Sequence, residues 1–322
     1  MASLRRALCV GIDAYPSDPL FGCVSDANSV ADVLERHEDG VPNFDCKRLL
    51  AAGSGEMDLV TTAKLRESLQ ALFKHKAEVV LLHFSGHGTV NNLDGYLVTQ
   101  DAKKYDEGVP MSQVLKLAND SPAEEVLILL DCCFSGNLGG VPAVDNSKAL
   151  LREGVSILTA SRGDQVSVEV GGGGLFTSLV TDALRGGAAD ILGEVTAPAI
   201  YSYVEAALGS WDQRPLFKSH VSKLVAFRRC TPAVDPAILR ALPILFPLPA
   251  EDVLLSPEHE PSSPKREHAK VAIFSKLQEL ARVHLVVPVG APHMYYAAMN
   301  SQSCRLTASG RYYWRLANSN RL

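Results

Sequence analysis

The chain has 322 residues, 47% of them hydrophobic and 21% charged, with a net charge of −5, the makeup of an ordinary globular protein of about two domains. No run approaches the ~18 apolar residues that a membrane span requires, so no membrane partner is expected. The seven cysteines (Cys9, Cys23, Cys46, Cys132, Cys133, Cys230, Cys304) are odd in number and lack Cys-x-x-Cys spacing. They argue against a disulfide framework or a zinc ribbon, and for a reducing cytoplasm.

In chain order, Arg5-Arg6 precedes an apolar stretch that Asp13 breaks too early for a signal peptide, so Ala7–Asp13 reads as a first strand. Gly22-Cys23-Val24-Ser25-Asp26 is a loop before a helix over Ala27–His37, whose stripe is Val30, Val33 and Leu34. Asp26 there can be a simple first-turn acid. A strand at Cys46–Ala51 and a helix at Thr61–His75 follow, the helix striped by Leu65, Leu69 and Leu72. Ala77–Ser85 is a short apolar run stopped by Gly86-His87-Gly88, and Val126–Leu130 is another, delivering Asp131 and Cys133 to its end. Such runs read as strands buried on both faces of a parallel sheet, and ligands sit at the carboxyl ends of strands in such sheets. The strand Val155–Ser161, the helices Leu175–Arg185 and Ala199–Leu208 and the strand Pro215–His220 complete the alternation. The fold class expected is α/β, a mostly parallel six-stranded sheet covered by helices on both sides.

A lone cysteine is usually a small buried hydrophobe. Here one strand end carries His87 and another Cys133, each beside a glycine turn, and a Cys–His pair is the usual way to make a thiolate nucleophile. A zinc site from His83, His87 and the two adjacent cysteines is a weaker alternative, because the i, i+4 histidines fall on a strand and a turn rather than on a helix. Gly171-Gly172-Gly173-Gly174 opening a helix lacks the Lys-Ser/Thr of a phosphate-binding loop, and reads as a flexible start to that helix.

Phe84-Ser85-Gly86-His87-Gly88, followed 46 residues later by Asp131-Cys132-Cys133-Phe134-Ser135-Gly136, resembles the two motifs of the caspase-like cysteine peptidases, the metacaspase branch in particular. The chain departs from that branch in having Phe134 where histidine is usual. The resemblance implies a caspase-like α/β/α sandwich over 1–230, acting on protein substrates. It makes Cys133 the nucleophile, His87 its base, and the backbone N–H groups of Gly88 and Cys133 the oxyanion hole. By the same resemblance Cys23, Asp26, Asp131, Ser161 and Asp164 border the substrate pocket. Two carboxylates sharing a pocket call for a cation, so Arg or Lys is expected before the scissile bond.

The loop 137–148, rich in Gly, Pro, Asn and Ser, is the kind proteases nick, which makes Lys148 and Arg152 candidate processing positions in a zymogen-like enzyme cut by an activating protease or set by a regulatory protein. Calcium is a possible cofactor by resemblance; Asp94, Asp101, Asp106 and Glu107 follow His87 without the usual paired-Asp pattern, and a solvated loop is the alternative. The role implied is that of a regulated peptidase in a prokaryotic defence or cell-death circuit, with a catalytically silent scaffold as the alternative.

From Thr231 prolines crowd the chain, and 231–264 reads as an extended linker. The remaining 265–322 holds nine Lys or Arg against Glu267 and Glu279. A helical stripe over Ala269–Val283 and the segment Leu306–Leu316, similar to the final helix and wing of a winged helix, suggest a small winged-helix-like domain. Nucleic-acid binding through 265–322, protein docking, or attraction to the acidic remainder of the chain all fit this charge.

Overall fold

Strands that must be buried on both faces make the centre of the structure, a computed structural model describing residues 5–53, 59–91, 94–104, 106–132, 134–135, 151–160, 169–170, 173–208 and 215–322. The chain runs β1 (Arg5–Ile12), α1 (Cys23–Leu34), β2 (Asp45–Ala51), α2 (Thr62–Phe73), β3 (Val79–Ser85), β4 (Gly88–Val90), β5 (Gly95–Lys103) and β6 (Asp106–Pro110). It continues with α3 (Met111–Asp120), β7 (Glu125–Asp131), β8 (Phe134–Ser135), β9 (Val155–Thr159), α4 (Leu175–Asp182), α5 (Ala197–Leu208) and a strand at Leu216–His220. That last strand, β9, β7, β3, β1 and β2 form a six-stranded sheet in this order. All its pairings are parallel except that of Leu216–His220 with β9.

Every residue of β3 is buried. Alternation along the strands divides these side chains between two cores. Val80, Leu82 and Phe84 of β3 pack with Leu65 and Leu69 of α2 and Met111 and Val114 of α3. Val79 and Leu81 face the other way, into a core with Val30 of α1, Phe176 of α4 and Ile200 of α5. The six expected strands are all present. The segment between β3 and β7 goes beyond the sequence reading: its β4, β5 and β6, followed by α3, join β8 from beyond β7 in a second, four-stranded sheet of order β6, β5, β4, β8.

Helix α1 starts at Cys23, four residues before its expected first residue, because the Asp13 carboxylate accepts the backbone N–H groups of Cys23 (2.7 Å) and Val24 (3.3 Å) that the helix itself leaves unsatisfied. Gly11 permits this approach: a Cβ there would lie 2.3 Å from the Cys23 carbonyl oxygen.

The chain divides into two units, Met1–Ala189 with Glu194–Thr231, and Asp190–Gly193 with Pro232–Leu322. The stretch 231–264 is therefore not the extended linker its proline content suggested. Asp235 caps a helix at Pro236–Arg240, a second short helix spans Leu242–Leu245, and Val253–Leu254 is a strand. Pro236 and Pro243 fall in the first turns of these helices, where no N–H is needed. Val234, Leu239, Leu242, Phe246 and Leu255 share a core with Phe274, Leu277, Leu280 and Leu306.

This second unit pairs Val253–Leu254 with Ser303–Leu306, and Ser303–Leu306 with Val286–Val289, all antiparallel. A long helix at His268–Arg282 precedes the last two strands, and a Thr307-capped helix at Ala308–Asn318 ends the unit. The winged helix expected for this unit calls for two adjacent strands joined by a wing after its long helix. The wing position, however, is the connection 290–302, which carries a helix at Met294–Met299, and Leu306–Leu316 is a strand end followed by helix. With 232–264 folded in, the unit has ten Lys or Arg against eight Asp or Glu, a net of +2, so most of the basic surplus of 265–322 is offset within its own fold.

Candidate functional site

His87 follows the end of β3, and its position is set by contacts from two neighbouring segments. Its backbone N–H donates to the Tyr15 hydroxyl (2.9 Å), which in turn donates to the Val98 carbonyl (3.2 Å), while Val98 N–H donates to the His87 carbonyl (3.0 Å). The Tyr15 and His87 rings lie 4.5 Å apart between centroids. Gly86 is needed here, since a Cβ would stand 2.5 Å from the Tyr15 hydroxyl. The imidazole Nε2 lies 2.7 Å from the backbone carbonyl of Asp18, a residue in the left-handed region at φ 61°. A carbonyl can only accept, so Nε2 carries the proton and the neutral ring offers its Nδ1 lone pair as a base.

Cys133 lies outside the described residues, as do Lys148, Ser161 and Asp164. The strands beside it are described: β4 pairs with β8 in parallel, with Gly88 opposite Phe134 and Thr89 opposite Ser135, the residues that follow His87 and Cys133 in sequence. Cys132 is buried in the core with Phe84 and Leu130, the surroundings of a packing thiol.

Three separate parts of the chain meet at the same end of the sheet. Asp26, in the first turn of α1, does not cap its own helix: it accepts the Ser85 hydroxyl (2.9 Å) and the Gly174 N–H (3.1 Å to each carboxylate oxygen). Asp131, at the end of β7, accepts the N–H (3.2 Å) and hydroxyl (2.7 Å) of Thr177 in α4. Gly174 lies against both acids, a Cβ there falling 2.2 Å from one Asp131 oxygen and 3.1 Å from one Asp26 oxygen. Both carboxylates are buried. Burial, and after it repulsion from Asp131, push the Asp26 carboxyl up to about 7, only partly opposed by the bonds from Gly174 and Ser85.

The network extends inward. Since the Thr177 hydroxyl gives its proton to Asp131, it accepts from His83 Nε2 (3.2 Å). His83 is fully buried, burial pushes its imidazole down to about 3, and its Nδ1 has no hydrogen-bond partner among the described residues. A neutral His83 thus orients Thr177, and Thr177 orients Asp131. Cys23 is buried too, and burial first of all pushes its thiol up to about 12, so it lines the site as an uncharged group.

Arg152 is tied down rather than displayed: its guanidinium donates to the Ala123 carbonyl (2.7 Å) and to that of Glu153, and its N–H to Asn119 (3.0 Å). The acids after His87 do not converge on a calcium site. Asp94 accepts backbone N–H groups of Gly95 and Ser112, and Asp101 accepts Thr62 and Thr99. No group of three or more His, Cys, Asp or Glu suited to a metal ion occurs among the described residues. Among the described residues no helix is long and apolar enough to cross a membrane.

Sequence reasoning missed Tyr15, Asp18, Gly174 and Thr177. Asp18 and Gly174 act through backbone atoms or through the absence of a side chain, which no motif records; Tyr15 and Thr177 act through hydroxyls that only their places, after the first strand and in the first turn of α4, could mark.

No curated protein matches the chain. Solved structures similar to it include protein GSU0716 from Geobacter sulfurreducens, at 18% identity over 70% of this chain and 97% of that one, with a TM-score of 0.51. Caspase-1 from Spodoptera frugiperda is similar at 12% identity over 71% of this chain and 90% of that one, with a TM-score of 0.49. At such identities the first likeness speaks to the fold alone. The family model of the caspase domain matches residues 4–226, the whole of the sheet and its helices, and on that match the chain belongs to the caspase-domain family.

Proposed function

We propose that this chain is a cysteine endopeptidase that cleaves proteins after Arg or Lys, with Cys133 as nucleophile and His87 as base. The observation that carries the reading is the meeting of Asp26 and Asp131 beside Gly174, at the sheet end where His87 is fixed through Nε2, its Nδ1 bonded to none of the described residues. Two buried carboxylates, with Asp26 pushed up to about 7 by burial and by its neighbour, form a receptor for a guanidinium or ammonium, whose charge would favour the ionised form of Asp26.

In the reaction, His87 Nδ1 takes the thiol proton of Cys133, and the thiolate attacks the carbonyl carbon after the basic residue. The tetrahedral oxyanion takes hydrogen bonds from the N–H groups of Gly88 and Cys133, typically worth about 3 kcal/mol per donor. The C–N bond then breaks, the leaving amine takes the proton from His87, and water, deprotonated by the same base, hydrolyses the thioester. Processing after Lys148, or a bound regulatory protein, would set the activity, in keeping with a defence or cell-death role.

The test is hydrolysis of aminocoumarin peptides bearing Arg, Lys or Asp at the acyl position by the purified full chain, with and without calcium. Cleavage after Arg and Lys, lost in Cys133→Ala and kept in Cys132→Ala, is expected. Cleavage after Asp alone, or equal loss in both variants, would overturn the reading.

A further inference from the structure

A cavity of about 380 Å³ opens beside His87 on the layer of the sheet opposite the acid pair. The acids are held by α1 and α4, whose side chains fill one core; the cavity is bounded by Tyr15 and by β4, β5 and β6, which border the other. Val98, Thr99, Gln100, Ala102 and Lys103 of β5 and the Lys104 that follows it line the cavity, so it runs as a groove along that strand. Val98 is bonded to His87, and Lys103 and Lys104 lie five and six residues farther on. At about 3.4 Å per residue that distance matches roughly four to six residues of extended peptide. Gln100 is not available to a ligand: its amide donates to Ala14 and its carbonyl accepts Val60 N–H. The far end holds two lysines against Glu107, and Lys103 makes no ion pair among the described residues.

His87 must hand its proton to the departing amine, so the chain on the amine side of the cut leaves past this ring. We propose that the groove along β5 binds the segment following the scissile bond and prefers one that carries acidic residues about four to six positions beyond it. This rests on the peptidase reading above.

The experiment uses the purified full chain and quenched peptides with one Arg cleavage position, whose leaving segments carry Glu, Gln or Lys at the fourth to sixth positions. An aminocoumarin Arg substrate, which has no leaving segment, is run alongside. The expected order of kcat/KM is Glu over Gln over Lys, with about fivefold or more between the ends at low salt and less at 0.5 M salt. In the double variant Lys103→Glu, Lys104→Glu the order reverses. Equal rates for the three peptides, with the aminocoumarin substrate still cut, would overturn the groove assignment and leave the peptidase reading standing. Failure to cut any substrate would overturn both.

Discussion

Replacing Asp26 by asparagine separates what the acid pair costs in stability from what it supplies in binding. In the folded protein the Asp26 carboxyl stands near 7, well above the ordinary aspartate range near 4. Between those values the folded chain keeps a proton that the unfolded chain has lost, so stability contributed by this group is present below about pH 4 and is lost as the pH rises through 7. At about 1.4 kcal/mol per pH unit the loss is about 4 kcal/mol at most. Asparagine can still accept from Ser85 or Gly174 and can donate to Asp131, without the charge. Asp26→Asn is therefore expected to be more stable than wild type at pH 8, by about 2 kcal/mol, and nearly equal to it at pH 5. Binding should move the other way. A small guanidinium inhibitor should bind wild type about tenfold more tightly per pH unit as the pH approaches 7 from below, then level off. In Asp26→Asn the profile should be flat and, at pH 8, weaker by about 30- to 100-fold, the worth of a hydrogen bond to a charged group. Denaturant unfolding at the two pH values and inhibition constants across pH 5.5–8.5 measure both. A variant less stable at pH 8 that binds guanidinium as wild type does would refute the assignment of these acids as a cation receptor.

Three other changes test separate parts of the structure. Tyr15→Phe removes the acceptor of the His87 N–H and should lower stability by about 1–2 kcal/mol. It should also cut kcat about tenfold with KM unchanged, read by unfolding and steady-state kinetics. Gly174 has extended backbone (φ −66°, ψ 130°) that alanine adopts freely, so the effect of Gly174→Ala is steric: a methyl group between the acids should lower kcat/KM on Arg substrates by about 100-fold or more with the circular dichroism spectrum retained. Gly310→Ala puts a carbon 2.0 Å from the Leu285 carbonyl oxygen and should cost about 2–3 kcal/mol in the C-terminal unit, seen as an earlier calorimetric transition.

The sheet was legible because strands buried on both faces leave unbroken apolar runs, as at Val79–Phe84 and Val126–Leu130. The β4–β6 segment was not, since Gly95–Lys103 is half-covered, polar at intervals, and bulged where it meets β6. The Pro-rich stretch misled through composition: proline counts suggest a linker, whereas proline positions, just after Asp235 and at the second position of the Leu242–Leu245 helix, suggest helix starts. At the site, His87 and Asp131 stood out as strand ends. The carbonyl of Asp18 and the N–H of Gly174 could not, because every residue carries such groups and only the fold aims them.

The acid pair has a mechanical side. Asp26, Asp131 and Gly174 come from parts of the chain far apart in sequence, and the Gly174 and Thr177 donors all belong to the first turn of α4 or the residue before it. Lifting that one turn off the sheet by an ångström or two would strip the Gly174 N–H from Asp26 and both Thr177 donors from Asp131 at once, while the Ser85 hydroxyl, held by β3, would stay on Asp26. The proposed selectivity for basic side chains would then fail well before the sheet lost its shape, and it would return as soon as the turn was seated again.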